Sequence, residues 1–267
     1  MNLAEIATGF RTNAKISSSY KRLQRFFRDF DLDYLVFARL IVALMDIPQP
    51  WILSTDRTEW SFGQTRFNIL MLGVVHNGVA YPLLWTMLDK KGNSNSDERM
   101  DLLDRFEQIF PNAEIAYISG DREFVGKQWL TYLLIEPVIS FRLRIKKSDR
   151  ISDGKKQLRA SIVFAHLKPG QTQILSGRRW VWGRLVSVSA LCLDDGELLI
   201  VITPDAINSA ISDYAQRWGI ETLFGILRER SSPVVRGYCP SVAFGNQNPE
   251  RVRDDDLRVR AALEDLV

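Results

Sequence analysis

Four residues toward the C-terminal end are of types that act on phosphates or metal ions: Tyr214, Arg217, Glu221 and Arg228. Their offsets of 0, 3, 7 and 14 place them within a sector of about 60° on a helix that turns roughly 100° per residue. One face would then carry a phenol hydroxyl, two guanidiniums and a carboxylate. The alternative is an ion-pair ladder, because an exposed i, i+4 pair such as Arg217 and Glu221 contributes only about 0.3–0.5 kcal/mol. Two aspartates bear on the choice. Asp56 follows Trp51-Ile52-Leu53-Ser54-Thr55, and Asp121 follows Ile115-Ala116-Tyr117-Ile118-Ser119-Gly120, so both are expected at strand ends. Neighbouring strands that end together bring their last side chains to one edge of a sheet. Two carboxylates there repel unless a cation lies between them. Oxygen ligands of this kind, completed by phosphate oxygens, suit Mg²⁺, with Mn²⁺ as a substitute. Taken singly, each aspartate is more commonly a turn or helix-cap residue.

The elements that must position these residues follow from periodicity. A helical N-terminal segment is expected over 1–48, where Tyr20, Leu23, Phe26, Phe27 and Phe30 recur at helical spacing among Lys21, Arg22, Arg25 and Arg28. Asp31 and Asp33 interrupt it, a second helix covers about 35–45, and Pro48 and Pro50 end it. Strands are expected over 51–55, 67–76, 79–88, 114–119 and 138–145, with helices over about 95–110 and 124–134 between them. The stretch 67–88 lacks Asp, Glu, Lys and Arg and is long enough to mimic a membrane span. Asn77-Gly78 at its centre favours a hairpin turn and two buried strands instead. Residues 146–204 then read as a β-rich insertion, with hairpin strands over 157–166, 171–176, 184–192 and 197–203. One helix is expected over 205–230, followed by an irregular tail over 231–267.

Asp56, Asp121 and Glu221, on a strand, a strand and a helix around a basic β-rich insertion, resemble the DDE transposases. More narrowly, the chain resembles the bacterial insertion-sequence branch with a Tyr-x2-Arg-x3-Glu-x6-Lys motif, matched here by Tyr214, Arg217 and Glu221, with Arg228 in place of the lysine. Thr55-Asp56-Arg57-Thr58 and Gly120-Asp121-Arg122-Glu123-Phe124 resemble the surroundings of that family's two aspartates. The resemblance covers about residues 15–230. It implies an α/β, RNase H-like mixed sheet over 49–230, with Asp56, Asp121 and Glu221 as catalytic residues and metal ligands. It also implies cleavage of double-stranded DNA at element ends and strand transfer into target DNA, by a homodimer assembled on DNA in the bacterial cytoplasm at the nucleoid. Tyr214, Arg217 and Arg228 would hold phosphates. In relatives that pass through a DNA hairpin an aromatic residue of the insertion stacks on a flipped base, and Trp180 and Trp182, beside Arg178, Arg179 and Arg184, are the candidates here. The other reading of these tryptophans is a hairpin pair covering the sheet. Beyond Arg230 the branch's usual helical continuation is not recognisable, so a truncated, inactive DNA-binding remnant stands as the alternative. A third reading is an RNase H-like nuclease that cleaves without joining.

Composition narrows the classes. The 267 residues, 46% hydrophobic and 25% charged, describe an ordinary globular chain. Net charge is only +3, yet residues 142–184 hold 12 basic and two acidic side chains, a local +10 suited to a polyanion. Edge-strand protection by Lys and Arg is the competing explanation. Cys192 and Cys239 form neither a disulfide framework nor a zinc site, and a reducing compartment is the simpler setting. The N-terminal run, with Glu5 and Arg11, is not a secretory signal, and no membrane partner is expected. His76 and His166 lack ligand-spaced partners, no GxSxG elbow is present, and Glu59 and Glu123 are expected in surface or hydrogen-bonding roles.

Overall fold

Three helices precede the first strand: α1 (Leu3–Thr8), α2 (Ile16–Asp29) and α3 (Tyr34–Met45). The computed structural model describes residues 3–10, 13–31, 33–62, 64–135 and 138–236, without the side chains of residues 62 and 228–236. Asp33 starts α3, its carboxylate accepting from the amides of Leu35 and Val36. Next come β1 (Trp51–Phe62), β2 (Thr65–His76), β3 (Val79–Met87), α4 (Ser96–Ile109), β4 (Ile115–Gly120), α5 (Lys127–Ile135) and β5 (Phe141–Ile145). The rest comprises β6 (Arg150–Ser152), β7 (Gln157–Arg159), α6 (Ala160–Val163), β8 (Thr172–Ile174), β9 (Arg179–Val181), β10 (Arg184–Cys192), β11 (Leu198–Thr203), α7 (Ala210–Ala215) and α8 (Trp218–Arg236).

The strands form one mixed sheet in the order β3-β2-β1-β4-β5-β11-β10-β9-β6-β7, with β8 against β10. β1, β2 and β3 are antiparallel, whereas β4 joins β1 and β5 joins β4 in parallel. An antiparallel meander followed by two parallel crossovers is the RNase H-like arrangement. Asn77 and Gly78, with φ of 50° and 76°, make the turn between β2 and β3. β2 is buried on both faces, which explains its almost unbroken apolar run. On one face α4 and α5 pack Leu103, Phe106, Trp129 and Leu130 against Leu53, Leu70 and Phe141. On the other, α8 packs Ile220, Leu223 and Phe224 over Ile69, Met71 and Val75, and α7 packs Ile211 and Tyr214 over Leu199 and Val201.

Several expectations need correction. β1 does not stop before Asp56; it runs on to Phe62, because Arg57 and Glu59 find partners in Asn68, Glu123 and Arg66. The strand expected over 157–166 breaks into β7 and α6, since Ala160 and Phe164 are buried while Ile162 between them is exposed, a pattern that fits a helical turn and not a strand's alternation. β10 and β11 do not stand apart as inserted hairpins. β11 pairs with β5, Ile200 opposite Ile145, and carries β10 with it, so both extend the main sheet. The helix expected over 205–230 is divided between α7 and α8 by a tight turn in which the Arg217 and Ile220 amides donate three residues back, to Tyr214 and Arg217. α8 continues through the first residues of the expected irregular tail to Arg236, and 237–267 lie outside the described residues.

Gly219, in the first turn of α8, fixes how closely that helix approaches the β2–β3 hairpin. A β-carbon there would lie 2.9 Å from Val75 Cγ1 and 3.0 Å from the Ala80 backbone nitrogen. Gly219→Ala is therefore expected to destabilise the protein by about 1–2 kcal/mol, although alanine is the better helix former by about 1 kcal/mol. Denaturant unfolding checks this, and an unchanged or raised midpoint would contradict it.

Candidate active site

Strand register brings the two aspartates together. The parallel pairing of β1 with β4 ends at Thr55 opposite Gly120, so Asp56 and Asp121 are the next residues on two adjacent chains. Across the antiparallel ladder Asp56 is paired with Met71, which belongs to the cluster beneath α8. Paired residues of neighbouring strands point to one face, so Asp56 points toward α8. Glu221 lies in the first turn of that helix. Gly120 keeps β4 close, since a β-carbon there would meet Phe124 Cβ at 2.8 Å.

The turn between α7 and α8 supplies the link. Arg217 Nη1 donates to Asp56 Oδ2 at 3.1 Å and to Glu221 Oε1 at 3.2 Å. The Tyr214 hydroxyl donates to Asp121 Oδ1 at 3.4 Å. The same Asp121 oxygen lies 3.7 Å from Arg122 Nε and 3.9 Å from Arg144 Nη1. Asp56 Oδ1 accepts from the Arg57 amide at 2.7 Å. Arg217 is only 2% exposed, and its guanidinium also lies 5.4 Å from the Trp218 ring. The site is thus one buried cluster of three carboxylates and several guanidiniums, with Glu221 at its more open side.

Its electrostatics set the aspartates apart. Burial drives the Asp56 carboxyl well above its ordinary range; Arg217 opposes the rise and the charges of Glu221 and Asp121 add to it. Burial pushes Asp121 up too, but there Arg217, Arg144 and the Arg122 amide and side chain prevail and hold it below its usual value. Burial disfavours the charged form of Arg217, yet Tyr214, Asp121, Asp56 and Glu221 together hold its pKa well above normal. Behind the aspartates Arg57 joins Asn68 at 3.0 Å and Glu123 at 3.4 Å, fastening the segment after β4 to β1 and β2.

The structure therefore assembles Asp56, Asp121, Glu221, Tyr214 and Arg217. It buries Tyr214 and Arg217 among carboxylates, where the sequence led to an expectation of groups facing phosphate. Arg228 falls on the α8 backbone, and its side chain lies outside the described residues. Trp180 and Trp182 sit about half-exposed on the β9–β10 hairpin, four strand positions from β4, with Arg178 paired to Asp205 and Arg179 bonded to nearby carbonyls. Trp182 has a φ of +51° at the hairpin tip, a conformation ordinarily left to Gly or Asn. Sequence reasoning missed Arg144 as part of the site. It counted Arg142 and Arg144 in a surface basic block, but both are buried, Arg142 against Asp213 and Arg144 near Asp121. Two arginines alternating with Leu143 and Ile145 within an otherwise apolar strand were the available clue.

Three carboxylates are the donor chemistry of a hard divalent cation. Asp56 and Asp121 stand side by side at the end of the β1–β4 pairing, and Arg217 engages both Asp56 and Glu221. Among the described residues no three acidic, His or Cys side chains are gathered closely enough to form a ready-made cage. No helix of the described residues is long and apolar enough to cross a membrane. No protein-family model matches the chain, and none of the curated proteins matches it. Among solved structures it is similar to a piggyBac transposase in a synaptic complex with hairpin DNA, with 13% identity and a TM-score of 0.47 over 78% of this chain. The match spans about half, 47%, of that protein's length.

The opposite shifts of the aspartates have a measurable sign. The folded-state pKa of Asp56 lies above its unfolded value, so its contribution to stability is present below about 4 and is lost as pH rises from there toward the raised folded value. For Asp121, held low, stability is present above that range and lost as pH falls through the depressed value. With a chelator present, Asp56→Asn is expected to melt above wild type near neutral pH, the difference shrinking as pH approaches about 4. A neutral-pH melting temperature below that of wild type would contradict this assignment.

Proposed function

We propose that this chain is the catalytic part of a DDE-type transposase of the bacterial insertion-sequence branch, cleaving double-stranded DNA at element ends and transferring the strand into target DNA. The observation that carries the reading is the convergence of Asp56, Asp121 and Glu221 from β1, the end of β4 and the start of α8 in an RNase H-like sheet. That convergence comes from three separate stretches of sequence, as a site does and an isolated helix-surface ladder does not.

Asp56, Asp121 and Glu221 would hold Mg²⁺, or Mn²⁺ in its place, which supplies Lewis-acid stabilisation of the phosphoryl oxygens and a more acidic water or 3′-hydroxyl. The protein's own part is placement of charge. The buried guanidiniums of Arg217 and Arg144 stand against the carboxylates and fix their positions before any substrate arrives. Arg228 is assigned to the DNA phosphates through its forked donors, while Tyr214 and Arg217, buried against Asp121, Asp56 and Glu221, are assigned to holding those carboxylates in place. Trp180 and Trp182, on an exposed hairpin with Arg178 and Arg179, are assigned to the DNA as stacking and phosphate contacts. Two copies of the chain would act together on DNA.

A specific observation favours a second reading. Arg217 already engages two of the three carboxylates, which is also what a DNA-binding protein without turnover would show. Plasmid nicking separates the two. Purified wild type is expected to nick supercoiled plasmid with Mn²⁺ and to stop on chelation, while Asp121→Asn and Glu221→Gln lose at least about 100-fold in rate yet still shift DNA in a gel. Binding by all three proteins with nicking by none would leave the non-catalytic reading.

A further inference from the structure

Arg217 sits where a cation is needed most. Among the described residues it is the one cation paired with Asp56 or Glu221, and its Nη1 bridges them at 3.1 and 3.2 Å. Asp121 has a different supply of positive charge, Arg122 and Arg144, so it does not depend on Arg217 alone. The guanidinium is also fixed in place. It leaves the tight turn between α7 and α8, lies against the rings of Tyr214 and Trp218, and is almost wholly buried. An arginine kept only for an external phosphate would not need an interior position, because guanidinium heads reach water readily on their long stems.

We propose that Arg217 is a built-in counter-cation: it neutralises Asp56 and Glu221 in the metal-free protein, and a divalent metal ion binds by competing with it for those two carboxylates. The inference rests on the metal-dependent reading above. Competition follows from the atoms involved. Asp56 Oδ2 and Glu221 Oε1 both accept from Arg217 Nη1, and Asp56 Oδ1 accepts from the Arg57 amide, so a metal ion bridging the two residues would have to share oxygens the guanidinium already holds. A divalent ion brought beside a buried guanidinium would also meet like charge at short range, where the low dielectric strengthens the repulsion. Without Arg217 the carboxylates would be left buried and mutually repelling, a condition that destabilises the fold and raises affinity for any cation.

The test measures Mn²⁺ binding by electron paramagnetic resonance of the free ion, together with thermal melting with and without Mn²⁺, for wild type, Arg217→Met and Arg217→Lys. Arg217→Met is expected to melt lower without metal, to bind Mn²⁺ at least about tenfold more tightly than wild type, and to gain more in melting temperature from Mn²⁺. Arg217→Lys, which keeps the charge, is expected to stay close to wild type. Should Arg217→Met fail to fold, wild type titrated with Mn²⁺ is expected to change its tryptophan emission as the guanidinium leaves Trp218, a change absent in Trp218→Phe. Equal affinities in wild type and Arg217→Met, or Mn²⁺ binding without the Trp218-dependent signal, would overturn the counter-cation role and leave the metal site intact. Absence of Mn²⁺ binding in every protein would overturn both.

Discussion

Three carboxylates cannot share a water-poor pocket without positive charge among them, and in this protein the charge comes from arginine. Asp56 is 9% exposed and Asp121 7%, so neither relies on water for its solvation. Arg217 binds Asp56 to Glu221, and Arg144 with Arg122 stands beside Asp121. Much of the surrounding architecture can be read as a means of holding these groups within a few ångströms. β5 is aligned beside β4 with Arg144 inside, α7 ends where Tyr214 reaches Asp121, and α8 begins where Glu221 reaches Arg217.

Close packing supports that placement. Gly120 and Gly219 sit at the two points where backbone or ring atoms leave no room for a β-carbon, one under the Asp121 segment and one under Glu221. The Arg57 network with Asn68 and Glu123 ties β1, β2 and the segment after β4 into one rigid corner. Both features help fix the distances across which Arg217 and Arg144 meet the carboxylates. Such a site is preorganised for charge at a cost in stability, the usual condition of a functional centre.

Much of this was legible in local sequence. Asn77-Gly78 announced the β2–β3 hairpin, and Asn95 with Glu98 forms the capping box that opens α4 where a helix was expected. The pairing of Asp56 with Asp121 followed from two apolar runs reaching acidic residues, though Asp56 lies within its strand and not at its end. What stayed hidden depended on partners far along the chain. Arg57 and Glu59 look like the end of a strand until Asn68, Glu123 and Arg66 are beside them. Local patterning marks β10 and β11 as strands but cannot say that β11 pairs with β5. The α7–α8 break is equally concealed, since 205–230 holds no internal proline and reads as a continuous helix. Arg142 and Arg144 look like surface charge because the acids that accompany them inside, Asp213 and Asp121, are remote in sequence.

The central claim of the proposed reading is that Asp56, Asp121 and Glu221 together make one divalent-cation site. Iron-directed cleavage tests it most directly: Fe²⁺ is bound to the purified chain, ascorbate and peroxide generate hydroxyl radicals at the ion, and the fragments are mapped by mass. Backbone cuts beside all three residues, suppressed together by excess Mg²⁺ or Mn²⁺, are the predicted result. Cuts beside only one of them, or at sites that excess Mg²⁺ leaves unchanged, would contradict the account.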